Sequence, residues 1–148
     1  MNEINIERVD HIGIRVRDLD RAMRFYEALG FKLLKRVDYD PVAIIKNEAG
    51  VEINLILNAN AGDPSKNVLM DVGEKYAGYT HVALRVTSIP DTIAALKRHN
   101  IAITQGPSKF GADGGVSVFM RDPDRNVIEL RGRDQGDVAD ATHYENVN

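Results

Sequence analysis

The chain has 148 residues, 43% of them apolar, which is enough for one ordinary domain with a buried core. Its formal net charge is −3, and its 19 Lys and Arg residues are scattered among 22 acidic residues, so no nucleic-acid partner is expected. It contains no cysteine, which excludes disulfides and thiolate chemistry and leaves only nitrogen and oxygen ligands for any metal.

The N-terminal sequence and the hydropathy pattern predict the cellular location of the protein. The first residues, MNEINIERV, have neither the basic region nor the apolar region of a secretory signal. No apolar run approaches the roughly eighteen residues that a membrane helix needs. We therefore expect a cytoplasmic protein with no membrane partner.

The first part of the chain predicts a strand, a helix and three further strands. Residues 4–16 alternate in character, and the polar face of this strand, which should line a cavity, consists of His11, Gly13 and Arg15. Asp18 is typical of a helix N-cap, and Gly30 is typical of the residue that follows a helix end. Short strands are then predicted at 31–37, 42–46 and 51–57.

A connector at 59–78 separates these elements from a second series. The second series begins with a strand at 79–86 and a helix that Ser88 caps together with Asp91. Further strands are predicted at 101–104, where Gln105-Gly-Pro107 should end the strand, and at 116–120 and 126–131. The tail, 133–148, has little to bury and should fray unless it packs on a partner.

The two series repeat one plan. Adding 70 to a residue number matches His11 with His81 and Asp18 with Ser88. The repeat predicts a single domain over 1–148, made of two βαβββ modules at about 7–58 and 79–132. We predict an α+β fold in which mixed β-sheets curl around a shared, metal-containing cavity, with the helices outside.

A carboxylate in the last strand marks the candidate site. Glu129 shares a strand face with Val127 and Arg131, where burial of a carboxylate is costly unless it has a partner. Residues 122–130 align without a gap with residues 47–55, and this alignment places Glu129 on Asn54.

The duplicated plan, the histidine on each first strand and the ending RDPDRNVIELRG resemble the vicinal oxygen chelate superfamily. This superfamily includes glyoxalase-type lyases, epimerases, extradiol dioxygenases and antibiotic-resistance proteins. The resemblance covers about residues 7–132 and implies that four strand positions hold a metal, namely His11, Asn54, His81 and Glu129. The second of these is an amide here, where the family usually has Glu or Gln.

Two imidazoles and one carboxylate suit a divalent ion and leave positions open for substrate. We therefore predict that His11, His81 and Glu129 bind one ion, which can be Fe, Mn, Ni or Zn. Asn54 can donate an amide oxygen or hold a water, and it can also contact substrate. Glu52 lies two residues earlier on the same face, and a bulge there would exchange the roles of Glu52 and Asn54.

Two arginines follow the histidines on the same predicted faces. Arg15 and Arg85 can each bind a substrate carboxylate through a bidentate contact. The alternative is that they form ion pairs with neighbouring acidic residues such as Glu52.

The resemblance implies a metal-dependent lyase or isomerase that acts on a small carbonyl substrate by stabilising an enediolate, with Glu129 or Glu52 as the base. An extradiol-type dioxygenase is the first alternative, but Phe110 and Phe119 stand where that group has an acid and a base. A non-enzymatic small-molecule binding or resistance protein is the second. We expect a homodimer whose only other partner is its small-molecule substrate.

Overall fold

A computed structural model describes residues 3–110, 114–138 and 141–144, with the backbone alone for His143 and Tyr144. Within these residues the chain forms nine strands and two helices, in two compact units, Met1–Ala61 and Gly62–Asn148. The boundary between the units falls inside the predicted connector. Neither helix of the described chain is long and apolar enough to cross a membrane.

The first unit is a four-stranded mixed sheet with one helix. Its elements are β1 (Ile12–Arg15), α1 (Leu19–Ala28), β2 (Lys32–Arg36), β3 (Val42–Lys46) and β4 (Glu52–Ile56). The strand order is β1-β4-β3-β2, with β1 parallel to β4 and the other neighbours antiparallel. The predicted βαβββ order of this module is confirmed.

Helix α1 begins and ends where local sequence signals place it. The Asp18 side chain accepts a hydrogen bond of 2.8 Å from the backbone N–H of Arg21, and Gly30 follows the helix with a φ of +94°. The buried face of the helix consists of Ala22, Met23, Phe25 and Tyr26. Burial of each large apolar side chain stabilises the unit by roughly 1.5–3 kcal/mol.

The second unit repeats this plan and adds one strand. Its elements are β5 (His81–Arg85), α2 (Ile89–Arg98), β6 (Ile103–Phe110), β7 (Gly115–Arg121), β8 (Val127–Arg133) and β9 (Thr142–Tyr144). The strand order is β5-β8-β7-β6-β9, with β5 parallel to β8 and β6 parallel to β9. The two mixed sheets and two helices confirm the predicted α+β class.

The strand registers of the two units correspond residue by residue. Gly13 is paired with Asn54 across β1 and β4, and Ala83 is paired with Glu129 across β5 and β8. These pairs relate Asn54 to Glu129, as the sequence alignment predicts. The hairpins differ in length, because Leu33 pairs with Ile45 in the first unit whereas Ile103 pairs with Met120 in the second.

The predicted first strand is wrong at its N-terminal end. Strand β1 begins at Ile12, not at residue 4. Ile4 and Ile6 are 80% and 88% exposed, so they gain none of the burial that favours a strand. The predicted alternation is correct further along, since Ile14 and Val16 are buried while His11 and Arg15 are exposed.

Two predictions about the second unit are also wrong. Strand β6 continues past Pro107, because the register shifts between Gln105 and Ser108 and keeps the proline out of the ladder. The tail does not simply fray, because β9 pairs with β6 and Val138 packs against Ile89 and Val116. The tail therefore closes one edge of its own sheet.

Candidate metal centre

His81 and Glu129 form the centre of the candidate site in the second unit. The parallel register of β5 and β8 places both side chains on one sheet face, with His81 Nε2 3.5 Å from Glu129 Oε1. The imidazole is 37% exposed, while Glu129 as a residue is only 8% exposed. A nitrogen and a carboxylate oxygen that converge in this way can both contact one small cation.

The imidazole of His81 is held from its other side. Its Nδ1 lies 2.9 Å from the hydroxyl oxygen of Thr80, and its ring meets the Phe119 ring edge-on with centroids 5.9 Å apart. With Nδ1 bonded to the hydroxyl, Nε2 is the nitrogen that faces Glu129. A histidine that binds a metal is commonly fixed by such a contact.

The second carboxylate oxygen of Glu129 is also engaged. The Ser117 hydroxyl donates to Glu129 Oε2 at 3.2 Å and accepts a hydrogen bond of 2.8 Å from Nη1 of Arg131. The guanidinium thus acts on the carboxylate through one hydroxyl. This arrangement offsets the cost of burying a charge and leaves Oε1 directed at His81.

The first unit has a related cluster around His11. One ligand atom each from Asp10, His11 and Glu52 lies within 4.8 Å of the other two. His11 Nδ1 is 2.7 Å from Asp10 Oδ1, and this hydrogen bond lowers the pKa of Asp10. As in His81, the contact occupies Nδ1 of His11 and leaves Nε2 as the nitrogen for a ligand.

Asn54 stands in the first unit where Glu129 stands in the second. It pairs with Gly13 on one side and Ile44 on the other. Its Oδ1 is buried and has no hydrogen-bond partner among the described residues. A buried carbonyl oxygen without a donor costs roughly 1–3 kcal/mol, so the site favours a ligand that supplies a cation or a donor.

The two predicted substrate arginines have different surroundings. Arg15 Nε donates to Asn58 Oδ1 at 3.0 Å, so the guanidinium is oriented by a side chain two residues after the end of β4. Arg85 lies beside Arg131 in the ladder of β5 and β8 and is exposed. Two guanidinium groups on neighbouring strands form a locally positive area near Glu129.

Comparison with known proteins decides the family. Residues 8–130 match the Glyoxalase/Bleomycin resistance protein/Dioxygenase superfamily. The chain belongs to this superfamily. It is 28% identical over 130 residues to a glyoxalase domain-containing protein of Mycosarcoma maydis, covering 86% of this chain and 69% of that protein. It is 30% identical over 131 residues to a probable lactoylglutathione lyase of Synechocystis sp., covering 81% of this chain and 91% of that protein.

Solved structures of the superfamily agree with the fold. A glyoxylase/bleomycin resistance protein/dioxygenase domain from Frankia sp. is 26% identical and aligns with a TM-score of 0.67. The alignment covers 89% of this chain and 96% of that domain. The predicted superfamily resemblance is therefore confirmed, and with it the duplicated α+β architecture.

The donor set around His81 and Glu129 fits a divalent ion of the kind that this superfamily typically binds. Imidazole nitrogen and carboxylate oxygen suit Mn, Fe, Ni and Zn alike. Thr80 and Ser117 form hydrogen bonds with the other two atoms, Nδ1 of His81 and Oε2 of Glu129, which leaves Nε2 and Oε1 for an ion. In the first unit, taken by itself, the Asn54 oxygen that lacks a partner among the described residues also fits a cation or a donor group.

Sequence reasoning missed the residues that orient these ligands. Asp10 and Thr80 each precede a histidine and engage its Nδ1, and this shared position is a signal that the sequence contains. Ser117 was missed because its role depends on the register that pairs it with Arg131. Its signal is weaker: it is a small polar residue inside an otherwise apolar strand.

Proposed function

We propose that this protein is a metal-dependent lyase or isomerase of the glyoxalase type, acting on a small substrate with two adjacent oxygens. The observation that supports it most strongly is the 3.5 Å distance between His81 Nε2 and Glu129 Oε1. The other nitrogen of His81 and the other oxygen of Glu129 already form hydrogen bonds, with Thr80 and Ser117. His81 and Glu129 would bind the ion, and His11 of the first unit would be a further ligand.

The bound ion would polarise the substrate oxygens and stabilise negative charge that develops on them, which is worth several kcal/mol. The protein's own residues would bind and orient the substrate and move its proton. Glu52, beside His11, would take a carbon-bound proton, and Glu129 is the other carboxylate in reach of this role. Arg15 and Arg85 would bind a substrate carboxylate.

Asn54 would complete the site as a neutral contact. Its buried, unpaired oxygen can face the ion, a bound water or a donor group on the substrate. A neutral amide would leave the ion more electrophilic than a second carboxylate would, because it adds no negative charge beside the ion.

The alternative activity, an extradiol-type dioxygenase, needs an acid and a base at two places that hold phenylalanine here. The rings of Phe110 and Phe119 pack edge-on with centroids 6.4 Å apart. Neither ring can exchange a proton, so we favour the lyase or isomerase.

Metal content and turnover test the proposal together. We expect one divalent ion, bound by the proposed ligands His11, His81 and Glu129, after reconstitution with Mn, Fe, Ni or Zn, and loss of that ion in His81→Ala. His99→Ala is the matched control, because His99 is the exposed C-cap residue of α2. Turnover would be assayed first on lactoylglutathione, which the relatives' names suggest, and should disappear with a chelator. Absence of metal in the unmodified protein after reconstitution with all four ions would refute the proposal.

The assembly is part of the same proposal. We expect a homodimer in solution. Light scattering at micromolar concentration should give twice the chain mass of 16.4 kDa, and a value near the chain mass would contradict the dimer.

A further inference from the structure

Three side chains on one sheet face form a connected series in the second unit. Ser117 lies opposite Arg131 in the ladder of β7 and β8, and Phe119 lies opposite Glu129. Arg131 donates a hydrogen bond of 2.8 Å to the Ser117 hydroxyl, and that hydroxyl donates a hydrogen bond of 3.2 Å to Glu129 Oε2. Ser117 has no exposed surface, so water does not compete for these two hydrogen bonds.

The backbone beside Arg131 is shaped to admit the guanidinium. A Cβ atom at Gly115 would meet the Nη2 of Arg131 and would lie 2.7 Å from its Nε. Any residue larger than glycine would therefore push the guanidinium away from Ser117. The absence of a side chain at Gly115 therefore leaves room for the guanidinium of Arg131.

The first unit lacks this series at the equivalent places. The pair that corresponds to Ser117 and Arg131 is Val42 and Ile56, which are opposite each other in β3 and β4. Two residues before Ile56 on β4, Asn54 takes the position of Glu129. Its Oδ1 has no hydrogen-bond partner among the described residues. At this strand position, the unit that can orient and compensate a carboxylate has Glu129, and the other unit has a neutral amide.

We propose that Arg131, acting through Ser117, is a positioning residue that holds Glu129 Oε2 and thereby presents Oε1 alone to the metal. The inference rests on the proposed metal site and specifies which carboxylate oxygen binds and what keeps it there. Because Oε2 is engaged, Glu129 binds the ion through one oxygen. The other coordination positions then remain for the histidine ligands and the substrate.

The consequence is a measurable dependence of metal affinity on groups that do not touch the metal. Loss of a hydrogen bond to a metal-binding side chain, from a residue that does not itself touch the metal, typically weakens metal binding roughly 10- to 100-fold. Ser117→Ala removes the hydroxyl that joins Arg131 to Glu129, and Arg131→Met removes the guanidinium that donates to this hydroxyl. Because Arg131 acts on Glu129 only through Ser117, removing both should add nothing. The double variant should bind metal with the same affinity as whichever single variant has the lower affinity.

The experiment is titration of the metal-free protein with Co²⁺, followed through the visible ligand-field spectrum, at a temperature well below unfolding. We expect Ser117→Ala and Arg131→Met each to raise the dissociation constant about 10-fold or more, with a changed spectrum that reports a changed carboxylate contact. Arg133→Met is the matched control, since Arg133 lies on the same strand face two residues further and is exposed. It should bind Co²⁺ as the unmodified protein does.

The outcomes separate this inference from the proposed function. If Glu129→Gln binds Co²⁺ as tightly as the unmodified protein, the metal site itself is wrong. If Glu129→Gln loses Co²⁺ while Ser117→Ala keeps both affinity and spectrum, only the positioning role is overturned. Additive losses in the double variant would also overturn it, because they would mean that Arg131 does not act through Ser117. Should Arg131→Met fail to fold, the milder Ser117→Ala variant decides the question alone.

Discussion

Asn54 and Glu129 occupy the same position in the two sheets, Asn54 paired with Gly13 and Glu129 paired with Ala83. Their hydrogen bonds differ completely. Glu129 Oε2 accepts a hydrogen bond from Ser117, while the Asn54 oxygen accepts none from the described residues. One backbone position therefore holds a charged side chain in one unit and a neutral one in the other.

This difference predicts the effect of a carboxylate at residue 54. Asn54→Glu should destabilise the metal-free protein by roughly 1–3 kcal/mol, because a charged group would replace a buried, unpaired oxygen beside Ile44. A saturating divalent ion should restore part of the loss if the new carboxylate reaches it. Urea denaturation with and without metal measures both effects. A metal-free variant as stable as the unmodified protein would show that residue 54 is better solvated than its burial indicates.

The role of Glu52 is separable from that of Asn54. If Glu52 is the base, Glu52→Gln should lower turnover by roughly two to four powers of ten while metal content stays the same. The comparison variant is Asn54→Ala. If Glu52→Gln releases the metal and Asn54→Ala keeps it, then Glu52 is the fourth ligand. In that case the place of Asn54 in the ladder does not predict its role.

The ion pair between Asp71 and Arg121 makes part of the stability depend on pH. Arg121 donates to both oxygens of Asp71 at 2.8 and 2.9 Å, which, with the backbone N–H of Asn67, lowers the pKa of Asp71 to about 2. Because the folded-state pKa is below the ordinary 3.8, this stabilisation is fully present above pH 3.8. It is lost as the pH falls toward about 2.

The size of this effect is limited by solvent. The side chain of Asp71 is 26% exposed, so we expect about 1 kcal/mol rather than the full value implied by the pKa. Chemical denaturation of the unmodified protein and of Asp71→Asn should differ by that amount at pH 7. The difference should shrink between pH 4 and pH 2.5. A difference that does not change with pH would exclude the ion pair as its source.

The turn before β8 depends on Asp122. This residue is 1% exposed, and its carboxylate accepts hydrogen bonds from the N–H groups of Asp124 and Asn126 and from the Asn126 amide, each at 2.9 Å. Asp122→Ala should cost roughly 2–3 kcal/mol, because it leaves these donors without an acceptor. Thermal unfolding measures the loss.

The equivalent turn in the first unit supplies the control. Asn47 Oδ1 accepts from the Val51 N–H at 2.8 Å, so an amide can make the central bond of this turn. Asp122→Asn should therefore cost less than Asp122→Ala, about 1 kcal/mol. Equal losses in the two variants would mean that the charge, rather than the acceptor geometry, stabilises the turn.

Local chemistry made the helices, and the order of helices and strands along the chain, predictable from sequence. The caps at Asp18 and Ser88 each accept a hydrogen bond from the third residue after them, and the sequence alone contains that signal. The correspondence of Asn54 with Glu129 was also predictable, because both modules have the same number of residues between the turn and this position.

Features that depend on distant strands were not predictable in this way. The continuation of β6 past Pro107 and the pairing of β9 with β6 come from ladder contacts between residues far apart in sequence. The link from Arg131 through Ser117 also needs the register of β7 and β8. A single sequence shows the periodicity of each strand and does not show which residues lie opposite each other.

The unequal hairpins show where the two repeated halves differ in length. Twelve positions separate Leu33 from its partner Ile45, and seventeen separate Ile103 from Met120, so five residues were gained or lost in a hairpin. The ladders that place Asn54 and Glu129 kept their registers through this change. The two halves therefore differ in length at the hairpins, while the ladders at Asn54 and Glu129 differ only in which residues they hold. A gene that holds two copies of one module can alter the chemistry of one copy and keep the other as its scaffold.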